Sequence, residues 1–450
     1  MRMSERHELQ ISRLELLGRL SQGYLFPEAL PPSTKTEDLP CSEAAFLLCG
    51  DLFYVDVGSG DMVKRRKEVL TDVHRKGLYV LYLHKGTKER RKRRQKMTAN
   101  PLRTALALLF FALSGVPAMA EISCRSENGV PVDWVVFYKV PKVFQKNSTD
   151  NGLEYLYLDS ITKKWKTSSH LINNNRSILG RTLEPLYEAY NSKSNNTAYL
   201  IYNDGVPKSK TYSRKYGHTK GLLVWNKIQG IWLIHSVPGF PPFPKDGYDY
   251  PSSGRRYGQN GICVTFKYSQ YKEIDSQLFV SQPNIYSCSI PNIFHQELIH
   301  MTQMCDKSGS LNIPVRRLAA LQSAQGLKFL HFAKSSLYTD DIFSAWMAQS
   351  LKTHLLAETW HRRNHEFPSN CSLHYHVYNI NRIRLGRKYS FSSYHDHSKW
   401  GVSKLSNSHW TCIGDLNRDP HQVFRGGGFI CTRNWHIYQS FHGAATHYKK

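Results

Sequence analysis

Acidic side chains are scarce in this sequence. Against 60 Lys and Arg stand only 35 Asp and Glu, a formal net charge of +25 over 450 residues. A polyanion, whether nucleic acid or an anionic membrane surface, is therefore the leading class of partner. Long apolar runs are missing too: none reaches the roughly 18 to 20 residues that a membrane-spanning helix needs. The nine cysteines include no C-x-x-C pair and do not cluster with histidine. Disulfides in an oxidising lumen are therefore expected rather than a zinc site. Core material is plentiful. Apolar residues make up 40% and aromatics 12% of the chain, which excludes a wholly disordered protein.

The charge is unevenly placed. Residues 1–120 carry 20 basic and 13 acidic side chains, so +18 of the excess belongs to residues 121–450, with 18 of the 21 histidines. Histidine titrates near pH 6.5, and the positive charge of this body would rise steeply in an acidic, lysosome-like compartment. Ahead of the body, the basic run Lys88-Glu89-Arg90-Arg91-Lys92-Arg93-Arg94 precedes Met97, Arg103, an apolar run from Ala105 to Val116, and Ala118-Met119-Ala120. A charged flank, a short apolar stretch and a small-x-small site, in that order, are the parts of a secretory signal peptide. This one follows 96 residues, which makes Met97 the expected initiator. Residues 97–120 are the expected signal, and 1–96 an isoform or gene-model extension. Four N-x-Ser/Thr sequons, at Asn147, Asn175, Asn195 and Asn370, all follow the cleavage site, as expected of a glycosylated luminal product.

From Glu121 onward, β-branched and aromatic runs alternate with polar turns. Strands are expected at 133–140, 198–202, 221–226, 230–237, 261–268, 327–333 and 376–385. The clearest helix is expected over 340–360, with Ile342, Phe343, Trp346, Met347, Ser350, Leu351 and Leu355 on one face and Asp340-Asp341 at its start. Residues 238–251, rich in Pro, Gly and Tyr, read as a loop.

An internal repeat carries the argument further. Tyr202-Asn203, expected to close a strand, is followed by His218-Thr219-Lys220 and then Trp232; Tyr378-Asn379 is followed by His397-Ser398-Lys399 and then Trp410. The intervals from Tyr to His are 16 and 19 residues, and from His to Trp 14 and 13. Composition alone gives about 1.5 His-x-Lys and four occur, but those at His74 and His447 lack the repeated surroundings. The repeat describes a pseudo-twofold body of two halves, 121–285 and 286–450, with a site where the copies meet.

On an extended strand residues two apart face the same way, so each His would project with its Lys. Two imidazoles and two ammoniums around one centre suit a phosphodiester. One neutral imidazole attacks phosphorus to give a phosphohistidine, and the other, as imidazolium, protonates the departing oxygen. The lysines neutralise charge on the equatorial oxygens. No carboxylate cluster adjoins either copy in the sequence, whereas two-metal nucleases need acidic ligands. No metal or other cofactor is expected.

The paired His-x-Lys on a pseudo-twofold body resembles the phospholipase D superfamily. More narrowly, Val132-Asp133-Trp134, Leu200-Ile201-Tyr202-Asn203-Asp204, Gly217-His218-Thr219-Lys220-Gly221, His235-Ser236-Val237-Pro238, Pro368-Ser369-Asn370-Cys371, Asp396-His397-Ser398-Lys399-Trp400 and 410–418 resemble the deoxyribonuclease II family across nearly all of 121–450. Residues 294–301 and 321–334 look most like its beta branch. The resemblance implies an α+β fold of two β-rich halves with flanking helices and an active site between them. It also implies a lysosomal, cation-independent endonuclease that cuts double-stranded DNA to 3′-phosphates, as in the clearance of DNA from dying or differentiating cells, without stable membrane insertion.

The family's functional histidines carry over onto His218, His235 and His397, with Lys220 and Lys399 as phosphate clamps. Asn417, in Gly414-Asp415-Leu416-Asn417, stands where the superfamily has Gly-Ser-x-Asn, and His235-Ser236 takes that place in the first half. Asn203 and Asn379 are expected as strand-end caps. Resemblance implies the disulfides Cys124–Cys263 and Cys412–Cys431; nearness in sequence suggests Cys288–Cys305. Two departures stand out. Gly401 replaces a usual cysteine after Trp400, and the cysteine near the family's C-terminus is absent, which leaves Cys371 as the expected unpaired thiol among seven in the body. A secreted DNA-binding pseudoenzyme and a phospholipase D-type lipid hydrolase are the alternative readings. The four intact His and Lys favour an enzyme, and the basic body favours DNA.

Overall fold

Segments rich in β-branched and aromatic residues pair into two sheets, seen in a computed structural model that describes residues 121–142, 151–209, 213–308, 312–360 and 365–449. The extension, the signal segment, Cys41, Cys49, His74 and Asn147 lie outside the described residues. The first sheet contains β1 (Trp134–Lys139), β2 (Tyr155–Asp159), β3 (Lys166–Thr167), β4 (Ala198–Asn203), β5 (Lys220–Trp225), β6 (Gln229–His235), β7 (Gln259–Lys267) and β8 (Ile285–Ser289). These run in the order β8-β4-β5-β6-β7-β1-β2-β3, antiparallel throughout. The second contains β9 (Arg316–Gln322), β10 (Lys328–Lys334), β11 (Leu355–Glu358), β12 (Val377–Leu385), β13 (Tyr389–Ser392), β14 (Trp400–Ser403), β15 (Thr411–Gly414), β16 (Gly427–Thr432) and β17 (Ala445–Tyr448). Its order is β9-β10-β16-β15-β14-β11-β12-β13, with β17 also on β12. The run β4-β5-β6-β7-β1-β2 of one sheet corresponds to β11-β14-β15-β16-β10-β9 of the other, which is the α+β body of two halves expected.

Each sheet has its own apolar layer. Against the first lies the helix Ile178–Ser192, started by Ser177, whose hydroxyl accepts from the Gly180 N–H at 3.1 Å. Leu179, Leu183 and Leu186, spaced three and four apart, bury with Leu222, Val224 and Leu233. Each such leucine contributes about 1.5–3 kcal/mol. Against the second lie Phe343, Met347 and Leu351 with Leu355 and Phe429. The disulfides Cys124–Cys263, Cys288–Cys305 and Cys412–Cys431 are formed. Among the described residues no helix is long and apolar enough to cross a membrane.

Four expectations need correction. The helix expected over 340–360 is a π-helical turn, Ile342–Met347, running into Ala348–Leu351, where Lys352 in the left-handed region (φ 52°) ends it. Leu355–Glu358 is instead β11, parallel to β12 and antiparallel to β14. A central strand buried on both faces reads as one continuous apolar run, which continued the helical period by coincidence. The Tyr-Asn pairs are not equivalent either: Tyr202-Asn203 ends β4, whereas Tyr378-Asn379 sits near the start of β12. By strand order the counterpart of β4 is β11. The boundary after residue 285 falls inside β8, which pairs with β4, and the helix Tyr271–Ser281 reaches the second sheet through Gln277, 2.6 Å from the His331 carbonyl. Lastly, Cys371 is disulfide-bonded and is not the unpaired thiol expected of the body.

Candidate active site

The two sheets meet across polar residues. Asp133 of the first half accepts from the Ser323 hydroxyl (2.6 Å) and the Gln325 N–H (2.8 Å) of the second. The Tyr138 hydroxyl of β1 donates to Asp396 at 2.5 Å. In this seam both His-x-Lys segments lead into inner strands: Lys220 opens β5, and Lys399 immediately precedes β14. Continuing the register of Gly221 with Ile234 places Lys220 opposite His235, and that of Trp400 with Ile413 places Lys399 opposite Gly414. Gly414-Asp415 therefore occupies in the second half the place of His235-Ser236 in the first.

The halves exchange contacts at these positions. His218 donates its backbone N–H to the Gly426 carbonyl (2.8 Å), and its ring Nδ1 lies 2.7 Å from the Asp415 carbonyl. In return, His397 donates its backbone N–H to the Gly258 carbonyl (2.9 Å), and the main chain of Ser236, the counterpart of Asp415, hydrogen-bonds its ring. Both imidazoles line one cleft of about 720 Å³ together with Asp204, Arg214, Tyr257, Trp360, Phe424 and Arg425. Trp360 packs on His397 with ring centres 4.6 Å apart, and Tyr257 on Trp360 at 5.5 Å.

Charge within the site is closely balanced. Lys220 Nζ lies 2.6 Å from Asp204 Oδ1, while Oδ2 faces Arg425 at 3.4 Å and His218 Nε2 at 3.6 Å. Burial would raise the Asp204 carboxyl, but Lys220, His218 and Arg425 hold it well below the usual range. His218 is pushed well below ordinary imidazole by burial and then by Lys220, with Asp204 opposing. Burial and then Lys399 and Lys220 do the same to His397, and burial and then Lys220 lower Lys399. Lys399 Nζ lies 3.1 Å from His397 Nδ1. Asp415 is raised by burial to about 7 even though its carboxyl accepts from the Lys220 and Gly428 N–H groups at 3.3 and 3.2 Å.

The residues singled out in the sequence do not all face the cleft. His235 is buried beside it: its Nδ1 accepts from the Val237 N–H (3.1 Å), burial lowers it to about 3, and its Nε2 has no partner among the described residues. Asn417 lines the cleft and accepts from the Trp360 backbone N–H at 3.2 Å, which ties it to the main chain beside His397. Asn203 donates to the Val237 and Phe240 carbonyls, both at 3.0 Å, and Asn379 to that of Phe367 at 2.7 Å. Gly401 lies in β14 between Ala357 and Cys412, turned toward Phe343 of the core.

Sequence reasoning missed the carboxylates. Asp204 and Asp415 adjoin the first copy, and buried Asp396 and Glu358 adjoin the second. Each is engaged by a neighbour: Ser398 and Tyr138 donate to Asp396, and Ser393 to Glu358 at 2.6 Å. No group of three His, Cys, Asp or Glu able to hold a metal occurs among the described residues. Asp204 follows the Tyr-Asn pair directly, a signal that was available. Arg425 offered none, since it lies 207 residues from His218 in sequence.

Two equivalent sheets, each delivering a histidine to one cleft with a buried lysine beside it, define a phosphodiesterase-like hydrolase of the paired histidine-lysine kind. The comparisons narrow this class. The family model for deoxyribonuclease II matches residues 123–450. The chain is 66% identical to human deoxyribonuclease-2-beta over 357 residues, 79% of this chain and 99% of that protein. It is 36% identical to mouse deoxyribonuclease-2-alpha over 345 residues (75% and 96%), and 32% identical to plancitoxin-1 of Acanthaster planci over 349 residues (77% and 97%). The chain belongs to the deoxyribonuclease II family, and so to the deoxyribonucleases.

Proposed function

We propose that this chain is a lysosomal acid endodeoxyribonuclease that cuts double-stranded DNA to 3′-phosphates without a divalent ion. The supporting observation is the reciprocal hold on two imidazoles in one cleft. A carbonyl oxygen only accepts, so the bond to Asp415 puts the proton of neutral His218 on Nδ1 and leaves the Nε2 lone pair for phosphorus. In the first step a bond forms from His218 Nε2 to phosphorus and the bond to the 5′-oxygen breaks. His397, as imidazolium, gives that oxygen its proton. In the second step His397 takes a proton from water, whose oxygen attacks phosphorus, releasing the 3′-phosphate and restoring His218. Lys220, Lys399 and Arg425 balance charge on the phosphoryl oxygens. Asn417 holds the Trp360 main chain, and His235 packs opposite Lys220 on the neighbouring strand. The role in clearing DNA from dying or differentiating cells follows from the substrate and the compartment.

Secretion is part of the same reading. Translation from Met97, removal of 97–120 and glycans on Asn147, Asn175, Asn195 and Asn370 would deliver the body to the lysosome. The match to the human relative supports this, since 79% of this chain accounts for 99% of that protein. N-terminal sequencing of lysosomal or secreted material should start near Glu121; recovery of residues 1–96 would refute it.

The central test is nicking of supercoiled plasmid at acidic pH in the presence of a chelator. Cleavage should persist, and His218→Ala and His397→Ala should each reduce it about a thousandfold or more, since one imidazole cannot serve as nucleophile and acid at once. Abolition by chelator alone, or near-normal turnover in either variant, would exclude this mechanism.

A further inference from the structure

Phe424 is 61% exposed, a large aromatic ring left open in the cleft, whereas the other two aromatic rings lining it, Tyr257 and Trp360, are half-buried and packed against each other and His397. Its loop is held firmly. The buried Lys334 ammonium bonds the carbonyls on both sides of it, Val423 at 2.9 Å and Arg425 at 2.6 Å. The Arg425 guanidinium bonds the Tyr216 and Gly217 carbonyls, each at 3.0 Å. Gln422 accepts from the Asn417 N–H at 2.9 Å. A loop anchored on both sides of one residue does not fold that residue's ring back onto the core. It presents the ring from a fixed backbone position, which lowers the ordering cost of a contact made there.

A polyanionic substrate offers two kinds of surface to this cleft. Its phosphates match Arg214 and Arg425, which line the cleft. Its apolar surface lies chiefly on the faces of the bases, which aromatic side chains engage by stacking whatever the sequence. We propose that Phe424 is a substrate-binding residue that stacks on a nucleobase beside the scissile phosphate, so that the duplex is opened locally where it is cut. Wedging an apolar side chain at a base step is the established physical means of such unstacking. The proposal rests on the nuclease reading above and adds to it a contact to the base rather than to the phosphate.

The test uses a single-stranded oligonucleotide with one cleavable phosphodiester, its other linkages being methylphosphonates. The cleavable linkage is flanked either by normal bases or by abasic tetrahydrofuran residues. Phe424→Ala should lower kcat/KM on the base-flanked substrate about tenfold, within the range of about five- to hundredfold that loss of one stacked base implies. On the abasic substrate the same variant should lose about twofold or less, and Phe424→Trp should recover most of the base-flanked activity. Because the ring is exposed, thermal melting of both variants should match the parent. Equal losses on the two substrates, or no recovery with tryptophan, would overturn the proposal. Failure of the parent enzyme to nick plasmid in the assay above would instead overturn the nuclease reading, and the proposal with it.

Discussion

The ring Nδ1 of His218 lies 2.7 Å from the main-chain oxygen of Asp415, 197 residues away and in the other half of the body. The corresponding main chain of the first half, at Ser236, holds the ring of His397. Each half therefore supplies one imidazole and orients the other half's. Neither half carries an oriented histidine by itself, so docking of the two sheets and assembly of the site are one event.

Asp204 should be the most costly single charge to remove. Its carboxylate is buried and faces Lys220, Arg425 and His218 at 2.6, 3.4 and 3.6 Å. Asp204→Asn leaves the Lys220 ammonium buried without its counter-ion, a loss of about 3–5 kcal/mol. Burial alone would raise this acid, but its cationic neighbours depress it. A depressed acid contributes stability above its unfolded pKa near 4 and loses it as pH falls through the folded value. The drop in Tm should be full from about pH 5 to 7 and shrink only below about pH 4. A drop larger at pH 3 than at pH 7 would contradict the pairing.

Gly401 should prove to be a packing variation and not a lesion. A Cβ there would sit 3.2 Å from Phe343 Cε1 and 3.8 Å from the Leu356 carbonyl, within the core of the second half. Gly401→Cys needs a shift of a few tenths of an ångström at Cβ, so a cost of about 1–3 kcal/mol is expected, with nuclease activity within about threefold of the parent. A large gain in activity would show that glycine had damaged the site.

The strands were legible because β-branched and aromatic runs lie between polar turns, and the paired His-x-Lys because its surroundings recur. What could not be read were contacts between the halves. The bond from the Lys220 N–H to Asp415 spans 195 residues, and no local pattern announces it. The helix misread over 340–360 has the same origin: Leu355–Glu358 is set by its partners β12 and β14, not by its own period. The second half therefore seemed to repeat the first through Tyr378-Asn379, when the structural counterpart of β4 was β11. The helix Ile178–Ser192 was hidden by Pro185 in its middle, which usually argues against a helix.

Stability should peak in mildly acidic solution, because two sets of buried groups pull in opposite directions. Burial depresses His218 and His397, and lowers His235 and His331 to about 3. Below about pH 6.5, and down to about pH 3 at His235 and His331, the unfolded chain binds more protons at these groups, so stability rises with pH there. Burial also raises Glu358 and Asp396, and Asp415 to about 7. Above about pH 4, and up to about pH 7 at Asp415, the folded chain binds more protons at these groups, so stability falls as pH rises. The sets oppose each other from about pH 4 to 6.5, leaving histidine alone below; above, Asp415 is opposed by depressed Lys399 and, beyond about pH 8, by Lys334. A broad Tm maximum in that interval is expected by differential scanning calorimetry. A Tm that climbed steadily from pH 5 to 8 would refute the assignment.

Catalysis should fade toward neutrality earlier than an ordinary imidazole would dictate. Burial, and after it the two lysines, disfavours the imidazolium at both His218 and His397. A depressed histidine loses its proton at lower pH, so in the free enzyme the general acid is gone well below pH 6.5. Bound DNA changes this, because a phosphate beside the rings favours their charged form. The limb of kcat, which reports the complex, should therefore lie at higher pH than the limb of kcat/KM, which reports the free enzyme. Discharge of surface histidines adds a second cause, since it weakens phosphate binding. The two causes separate by ionic strength: a binding defect grows with salt, whereas loss of the acid persists at saturating DNA. A kcat that kept rising through pH 8 under saturation would exclude an imidazolium acid, and identical limbs for kcat and kcat/KM would place the titrating group away from the bound phosphate.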